Sequence, residues 1–415
     1  MKLKAMKLTT LKRPVLSLLI LAVLSLPGWI NHPIWLSFLA QVGIMIVVCA
    51  SYQLLFGQAG MLSFGHAIYF GLAAFICLHS LNRWQTYPIV FLPLLSACGV
   101  ALLALLIGLL SCRSTNTVFS MISLALAELF SASALLFADF FGGEGGISAN
   151  RVREANWLAW NFASPNQMTG LILVYAVVAV LAMYAWQATP LGRLAQAVRD
   201  NPERLSFLGF NPRWVKILSL MTAAFFAGIA GALNALQYEL ASAENLSVHR
   251  SGLILLFTII GGSQHIVGAL LGAMCGVVFT SFLSDWTPAW SLYLGVFFIL
   301  VVRFFPGGLL ATGRHFVLFL RQLAGLPVAY ACALISMQIM RALSALLALL
   351  LSVEFLYQRN LQSDSVWHGL HWRWDTRDWQ TWLWPLGFLI LASVLHVLLR
   401  HRYWGSLRHQ ELRHG

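Results

Sequence analysis

The chain has 415 residues, of which 59% are hydrophobic and only 10% charged, and its mean hydropathy is +0.77. Soluble domains carry roughly 25% charged residues, so this composition excludes a soluble enzyme or binding module and implies a polytopic membrane protein. The formal net charge of +12 does not point to nucleic acid, because the basic residues sit between apolar runs, where topology signals lie.

In chain order, Lys2, Lys4, Lys7, Lys12 and Arg13 precede an apolar run from Val15 to Leu26. Pro27-Gly28-Trp29 is a poor small-residue cleavage site, so this run reads as an uncleaved first span with the N-terminus inside. Further apolar runs predict spans over 34–56, 60–81, 87–111, 116–140, 169–187, 214–237, 251–284 (interrupted), 288–305, 328–357 and 382–399. The expected fold is all-α: a transmembrane helical bundle of about 10–11 spans with broken or re-entrant helices. The six cysteines lie in or at the ends of apolar runs with no CxxC pair, and read as small core residues, with no disulfide framework or metal site.

Two stretches do not read as plain helix. One runs from Gly57 through Gln58, Gly60, Ser63 and Gly65 to His66; the other is Gly261-Gly262-Ser263-Gln264-His265. Irregular backbone at membrane depth is tolerated only where protein buries it or a watery cavity meets it. One such break in each half suggests paired broken helices lining a substrate path. The alternative is glycine for close helix packing, with serine and histidine bonding a neighbour. Carboxylates are scarce in the spans: Glu128 lies mid-span in SLALAELF, and Asp139 lies near the outer end of the same run. Glu128 is either part of the path or a neutral, hydrogen-bonded structural group. Beyond it, Gly142, Gly143, Glu144, Gly145 and Gly146 leave backbone N–H groups open to an anion or a partner's surface, or form a flexible connector.

The longest polar break between early spans is Thr189–Lys216. Thr189-Pro190, Asn201-Pro202 and Asn211-Pro212 each combine a side-chain N-cap with proline at the first helical position. Pro202 to Leu208 has room for about two turns before Gly209 offers a left-handed cap. So short a helix needs something packed on it, which makes this either a docking helix or an ordinary capped loop. Placing it inside and alternating outward puts fourteen basic residues inside, and only Arg83, Arg151, Arg153 and Arg250 outside, provided the interrupted span crosses as two pieces.

Past Gly313 the texture changes to a tryptophan-rich loop (Trp367, Trp372, Trp374, Trp379, Trp382, Trp384), expected as an interfacial belt, and a basic tail. Arg341 interrupts the run 328–357, which reads either as one long span or as an interfacial helix plus a span. No GxxxxGK[ST], HExxH or GxSxG occurs in the chain, so it carries no phosphate loop and no hydrolase motif of these kinds.

The stretches LLFGQAGMLSFGHAIYFGLAAF (54–75), SLALAELFSASALLFADFFGGEGGISANRV (123–152), TPLGRLAQAVRDNPERLSFLGFN (189–211), ENLSVHRSGLILLFTIIGGSQHIVGALLGA (244–273) and PAWSLYLGVFFILVVRFFPGGLL (288–310) resemble the permease subunit of branched-chain amino acid ABC transporters. The resemblance implies a non-enzymatic transport subunit of a bacterial inner membrane. It implies a second permease subunit, two cytoplasmic ATPase subunits that bind the ATP, and a periplasmic substrate-binding protein, with no cofactor in this chain. It assigns Arg199, Asp200, Asn201, Pro202, Glu203, Arg204 and Gly209 to ATPase coupling. It divides the chain into a first segment and span (1–33), a permease core (34–313) and an extension (314–415) that it does not cover. Urea and short-amide permeases share much of this pattern. An ion-coupled secondary transporter would call for a chain of membrane carboxylates or histidines, and Glu128 with His66 is thin material.

Overall fold

Backbone in hydrocarbon must satisfy its own hydrogen bonds, and the long apolar runs of this chain accordingly fold as helices. The computed structural model describes residues 32–84, 87–113, 116–152, 162–286, 290–304 and 307–311, with isolated positions in 25–28 and 337–355 and the pieces 366–369, 372–375 and 383–395. Most of the expected first span, 14–30, and most of 328–357 lie outside the described residues.

The helices are α1 (Pro33–Gln53), α2 (His66–Arg83), α3 (Leu92–Ser111), α4 (Asn116–Leu136), α5 (Pro165–Ala188), α6 (Pro190–Asp200), α7 (Pro202–Phe207), α8 (Pro212–Tyr238), α9 (Val248–Gly261), α10 (Ile266–Val278) and α11 (Trp290–Phe304). Among the described residues, six helical stretches are long and apolar enough to cross a membrane; shorter apolar helices are α9, Trp290–Arg303 and α12 (Leu383–Leu395). The interrupted run 251–284 folds as two pieces, α9 and α10, that pack against each other. Added side chains at Gly261 and Gly272 would strike the carbonyls of Gly268 and Phe257 respectively. With 14 residues, α9 is about 21 Å long, short of the ~30 Å hydrocarbon thickness.

Two features depart from pure helix. Strand β1 (Ile147–Ser148) pairs antiparallel with β2 (Leu240–Ala241). In the tryptophan-rich segment, β3 (Val366–Gly369) pairs antiparallel with β4 (Trp372–Asp375), so part of the expected interfacial belt is a hairpin. Trp379 and Trp382 lie outside the described residues. The contacts divide the chain into two units, residues 1–281 with 301–310 and residues 282–300 with 311–415. Every site residue singled out above belongs to the first.

The core of the first unit forms around α8, which packs along α3, α2 and α1. Its sequence TAAFFAGIAGALNAL is rich in small residues, which let backbones approach where lipid supplies no hydrophobic drive for helix association. A Cβ at Gly228 would lie 2.9 Å from Ala97 Cα, and one at Gly231 would collide with the Phe70 carbonyl. Arginines close the helix ends. Arg151 donates to the carbonyls of Leu236 (2.9 Å), Gln237 (3.0 Å) and Phe162 (3.1 Å) and pairs with Glu239 at 3.2 Å, at the end of α8. Arg213 donates to the Leu109 carbonyl (2.8 Å), near the end of α3. Cations there satisfy orphan carbonyls and the negative end of the helix dipole.

Gly231→Ala is expected to destabilise the protein in detergent by roughly 1–3 kcal/mol, the cost of overpacking, read as a lower melting temperature. Gly170→Ala, where a methyl meets open space, serves as the control and should leave the melting temperature unchanged or slightly higher.

Candidate functional site

The first break begins where α1 widens into a π-turn, Leu54–Gln58, and ends at His66, the first residue of α2. Gly60 has φ +69°. The backbone groups released here are claimed by side chains from other helices. Ser123 of α4 accepts from Phe64 N (3.0 Å), Ser120 donates to the Leu62 carbonyl (2.7 Å), and Ser251 of α9 accepts from Ala67 N (2.9 Å). Ser63 Oγ accepts from Gly65 N (3.3 Å), and Tyr52 donates to the Ser63 carbonyl (3.1 Å). Gln58, Ser63, Gly65 and His66 are therefore buried in protein, and the N–H groups of Phe64, Gly65 and Ala67 are occupied.

His66 braces the break. Its Nε2 lies 2.9 Å from Ser51 Oγ, whose hydrogen goes to the Val48 carbonyl (2.7 Å). Ser51 then accepts from His66, so Nε2 carries the proton. Nδ1 is left a buried acceptor without a partner among the described residues.

The second break comprises residues 262–265, between α9 and α10. Gly262 has φ +112°, and a side chain on it would lie 2.6 Å from the Gly307 carbonyl. The two breaks meet: a Cβ at Gly57 would collide with the Ser263 carbonyl. In this conformation the pair is closed, backbone against backbone.

The Thr189–Lys216 loop folds as its sequence predicts. Thr189, Asn201 and Asn211 cap α6, α7 and α8 by accepting from Gly192 N (3.2 Å), Arg204 N (2.9 Å) and Arg213 N (3.0 Å). Gly209 has φ +85°; its N–H reaches the Ser206 carbonyl (3.0 Å) and Phe210 N–H reaches that of Leu205 (3.3 Å), a Schellman closure. Asp200, Asn201, Pro202, Glu203 and Arg204 are exposed. So are the large apolar side chains Phe207 (90%), Leu208, Phe210 and Trp214, while Leu205 is buried.

This loop is bonded directly to the first break. The Arg199 guanidinium donates to the Gly57 carbonyl, Gln196 Nε2 donates to Gln58 Oε1, and Gln187 Nε2 donates to Gln53 Oε1 at 2.9 Å. A side chain on Gly60 would press on Arg199 Cγ at 2.6 Å. Arg199 was legible as a loop cation; Gln196 was not singled out, although it stands three residues earlier on the same helical face. Ser120 and Ser123 were missed too, and their i, i+3 spacing in a membrane helix was the available signal.

Glu128 lies elsewhere on α4. Ser123, Ala127 and Ala134 face inward, whereas Met121, Leu124, Glu128 and Leu135 face outward, and Glu128 is exposed mid-span. It has no hydrogen bond or ion pair among the described residues. At the opposite end of the bundle, Gly142, Gly143 and Gly146 all have positive φ (+77°, +63° and +68°). A side chain on Gly142 would strike the Gly146 carbonyl, and one on Gly146 that of Ala241. With β1 pinned to β2, this is a shaped turn with Glu144 and Gly145 exposed. Arg250, read only as a loop charge, places its guanidinium 5.2 Å from the Phe70 ring centre.

The chain is thus an all-α, multi-pass membrane protein whose longest polar loop is tied to a broken pair of core helices. Residues 34–305 match the family described as branched-chain amino acid transport system / permease component, and the chain belongs to that family. It is 24% identical over 297 residues to the high-affinity branched-chain amino acid transport system permease protein LivM of Escherichia coli (strain K12), covering 65% of this chain and 68% of that protein. The Salmonella typhimurium protein of the same name matches to the same extent. No solved structure matches the chain.

Ser123→Ala should leave the Phe64 N–H unsatisfied and lower stability by about 1–3 kcal/mol, measured as thermal unfolding in detergent. Ser133→Ala, on the exposed side of the same helix, should change it little.

Proposed function

We propose that this chain is the transmembrane permease subunit of a binding-protein-dependent ABC importer for branched-chain amino acids, driven by ATP hydrolysis on separate subunits. The partners are a second permease subunit, two cytoplasmic ATPase subunits that bind the ATP, and a periplasmic substrate-binding protein. The membrane is a bacterial inner membrane, with the N-terminus and Thr189–Lys216 on the cytoplasmic side. The observation that carries this reading, beyond family membership, is the bonded link from α6 to the first break. A loop that presents Phe207, Leu208 and Phe210 to a partner, and grips Gly57 and Gln58 from behind, has the construction a force-receiving element needs.

In this reading the breaks are the gate of the substrate path. Gln58, Ser63, Gly65 and His66 form one jaw, Gly261 and Gly262 the other, shut here by the contact of Gly57 with Ser263. Glu128 belongs to the open side of the path. The Gly142–Gly146 turn faces the periplasm and receives the binding protein.

The test is co-expression with two ATPases, a second permease and a binding protein encoded beside this chain. The five should co-purify, and uptake of radiolabelled leucine, isoleucine or valine should require all of them. Uptake by the chain without ATPases would sink the proposal. Within that assembly, Arg199→Ala should reduce uptake at least tenfold while ATPase co-purification is unchanged, because it cuts the bond from the Arg199 guanidinium to the Gly57 carbonyl of the break. An unaltered rate would show that the link transmits nothing.

The orientation has its own check. In a background lacking the exposed Cys98, a cysteine replacing Ser206 should be shielded from impermeant thiol reagents in intact cells, and one replacing Ser148 should react. The reverse pattern would invert the topology.

A further inference from the structure

The outward face of α4 carries two features that the gate does not use. One is an open groove of about 380 Å³ lined by Leu62 and Phe64 from the first break and by Thr117, Ser120, Met121 and Leu124 from α4. The other is Glu128. Met121, Leu124 and Glu128 follow the i, i+3, i+7 spacing of a single helix face, so Glu128 stands about 6 Å along the axis from Leu124. Met121 is 66% exposed and Leu124 39% exposed. An ionisable group on the middle of a membrane helix is costly against lipid, and such groups face a water-filled cavity or a partner. Glu128 has no hydrogen bond or ion pair among the described residues, and its side of the helix is exposed.

We propose that this groove and Glu128 together form a transit site for an aliphatic α-amino acid, with the side chain lying in the groove and the ammonium group on the Glu128 carboxylate. The site rests on the transport function proposed above and names the residues that would read its substrate. The chemistry is complementary at both ends. Four of the six lining side chains are large and apolar, matching a branched hydrocarbon, and Glu128, one turn beyond Leu124 on the same helix face, carries a charge opposite to that of an ammonium. A cationic group crossing a low-dielectric region needs such a counter-charge or accumulates a large desolvation cost. Thr117 and Ser120 stand on the groove's edge, although Ser120 already donates to the Leu62 carbonyl. Because Leu62 and Phe64 belong to the first break, movement of that break would reshape the groove, which ties occupancy of the site to the gate.

The experiment uses the full transporter in cells, with uptake of leucine, isoleucine, valine and alanine measured side by side. Membrane abundance, ATPase co-purification and ATPase stimulation by loaded binding protein are followed in every variant. Glu128→Gln should lower uptake of all four substrates at least tenfold with ATPase stimulation retained, and Glu128→Asp should recover part of it. Met121→Trp, which fills the groove from an exposed position, should depress leucine and isoleucine uptake at least fivefold more than alanine uptake. That shift in selectivity cannot come from the binding protein, which is unchanged. If Glu128→Gln fails to accumulate in the membrane, the Met121→Trp selectivity ratio alone decides. Parental rates in Glu128→Gln, or an equal loss for all side chains in Met121→Trp, would overturn the site and leave the transport function standing. If the parent assembly takes up none of the four, the functional reading itself falls, and the site with it.

Discussion

The structure depends on one requirement: a helix broken at membrane depth releases backbone groups that no water will satisfy, so side chains from elsewhere must. Here the answer is three serines on two other helices. Ser120 and Ser123 of α4 and Ser251 of α9 take up the groups freed between Leu62 and Ala67. Each is a small side chain that brings its own helix close to the break, so satisfying the hydrogen bonds also fixes the packing.

The requirement also explains the glycines. Once two breaks face one another, no side chain fits between them: Gly57 meets the Ser263 carbonyl, Gly262 meets Gly307, and Gly261 and Gly272 let α9 and α10 close on each other. Positive φ at Gly60 and Gly262 gives each break its reversal. Glycine serves here both as a packing surface and as the residue able to turn.

What the sequence disclosed and what it hid divide along physical lines. Capping is local, and Thr189, Asn201, Asn211 and Gly209 act as their neighbours in the chain predict. Apolar length is local too, and the long helices follow the hydropathy closely. Pairings across more than a hundred residues are not local. Nothing in the run around Gln58 announces Gln196, and nothing near Gly57 announces Arg199 or Ser263. Hydropathy likewise does not report which side of α4 faces inward, so the exposure of Glu128 required the fold. The hairpin at 366–375 was hidden by composition, because tryptophan is as much at home in a strand as in an interfacial belt.

The kinds of contact around the first break differ in a way that bears on how it could move. On one side it is held by directional bonds: serine hydroxyls from α4 and α9, and the amide and guanidinium of Gln196 and Arg199 from α6. Each neutral bond is worth about 1 kcal/mol net, and that of the guanidinium about 1.5–3, and all are expensive to leave unmade in a buried setting. Against Ser263, by contrast, Gly57 makes a steric contact with no hydrogen bond among the described residues. Separating that seam forfeits only dispersion, provided something fills the space, whereas pulling α6 off the break would strand buried polar groups. A displacement of α6 therefore carries Gly57 and Gln58 with it more cheaply than it leaves them behind. Among the described residues, no hydrogen bond joins Gly57 to Ser263 across the seam between the two breaks, and glycine there leaves the backbones in direct contact.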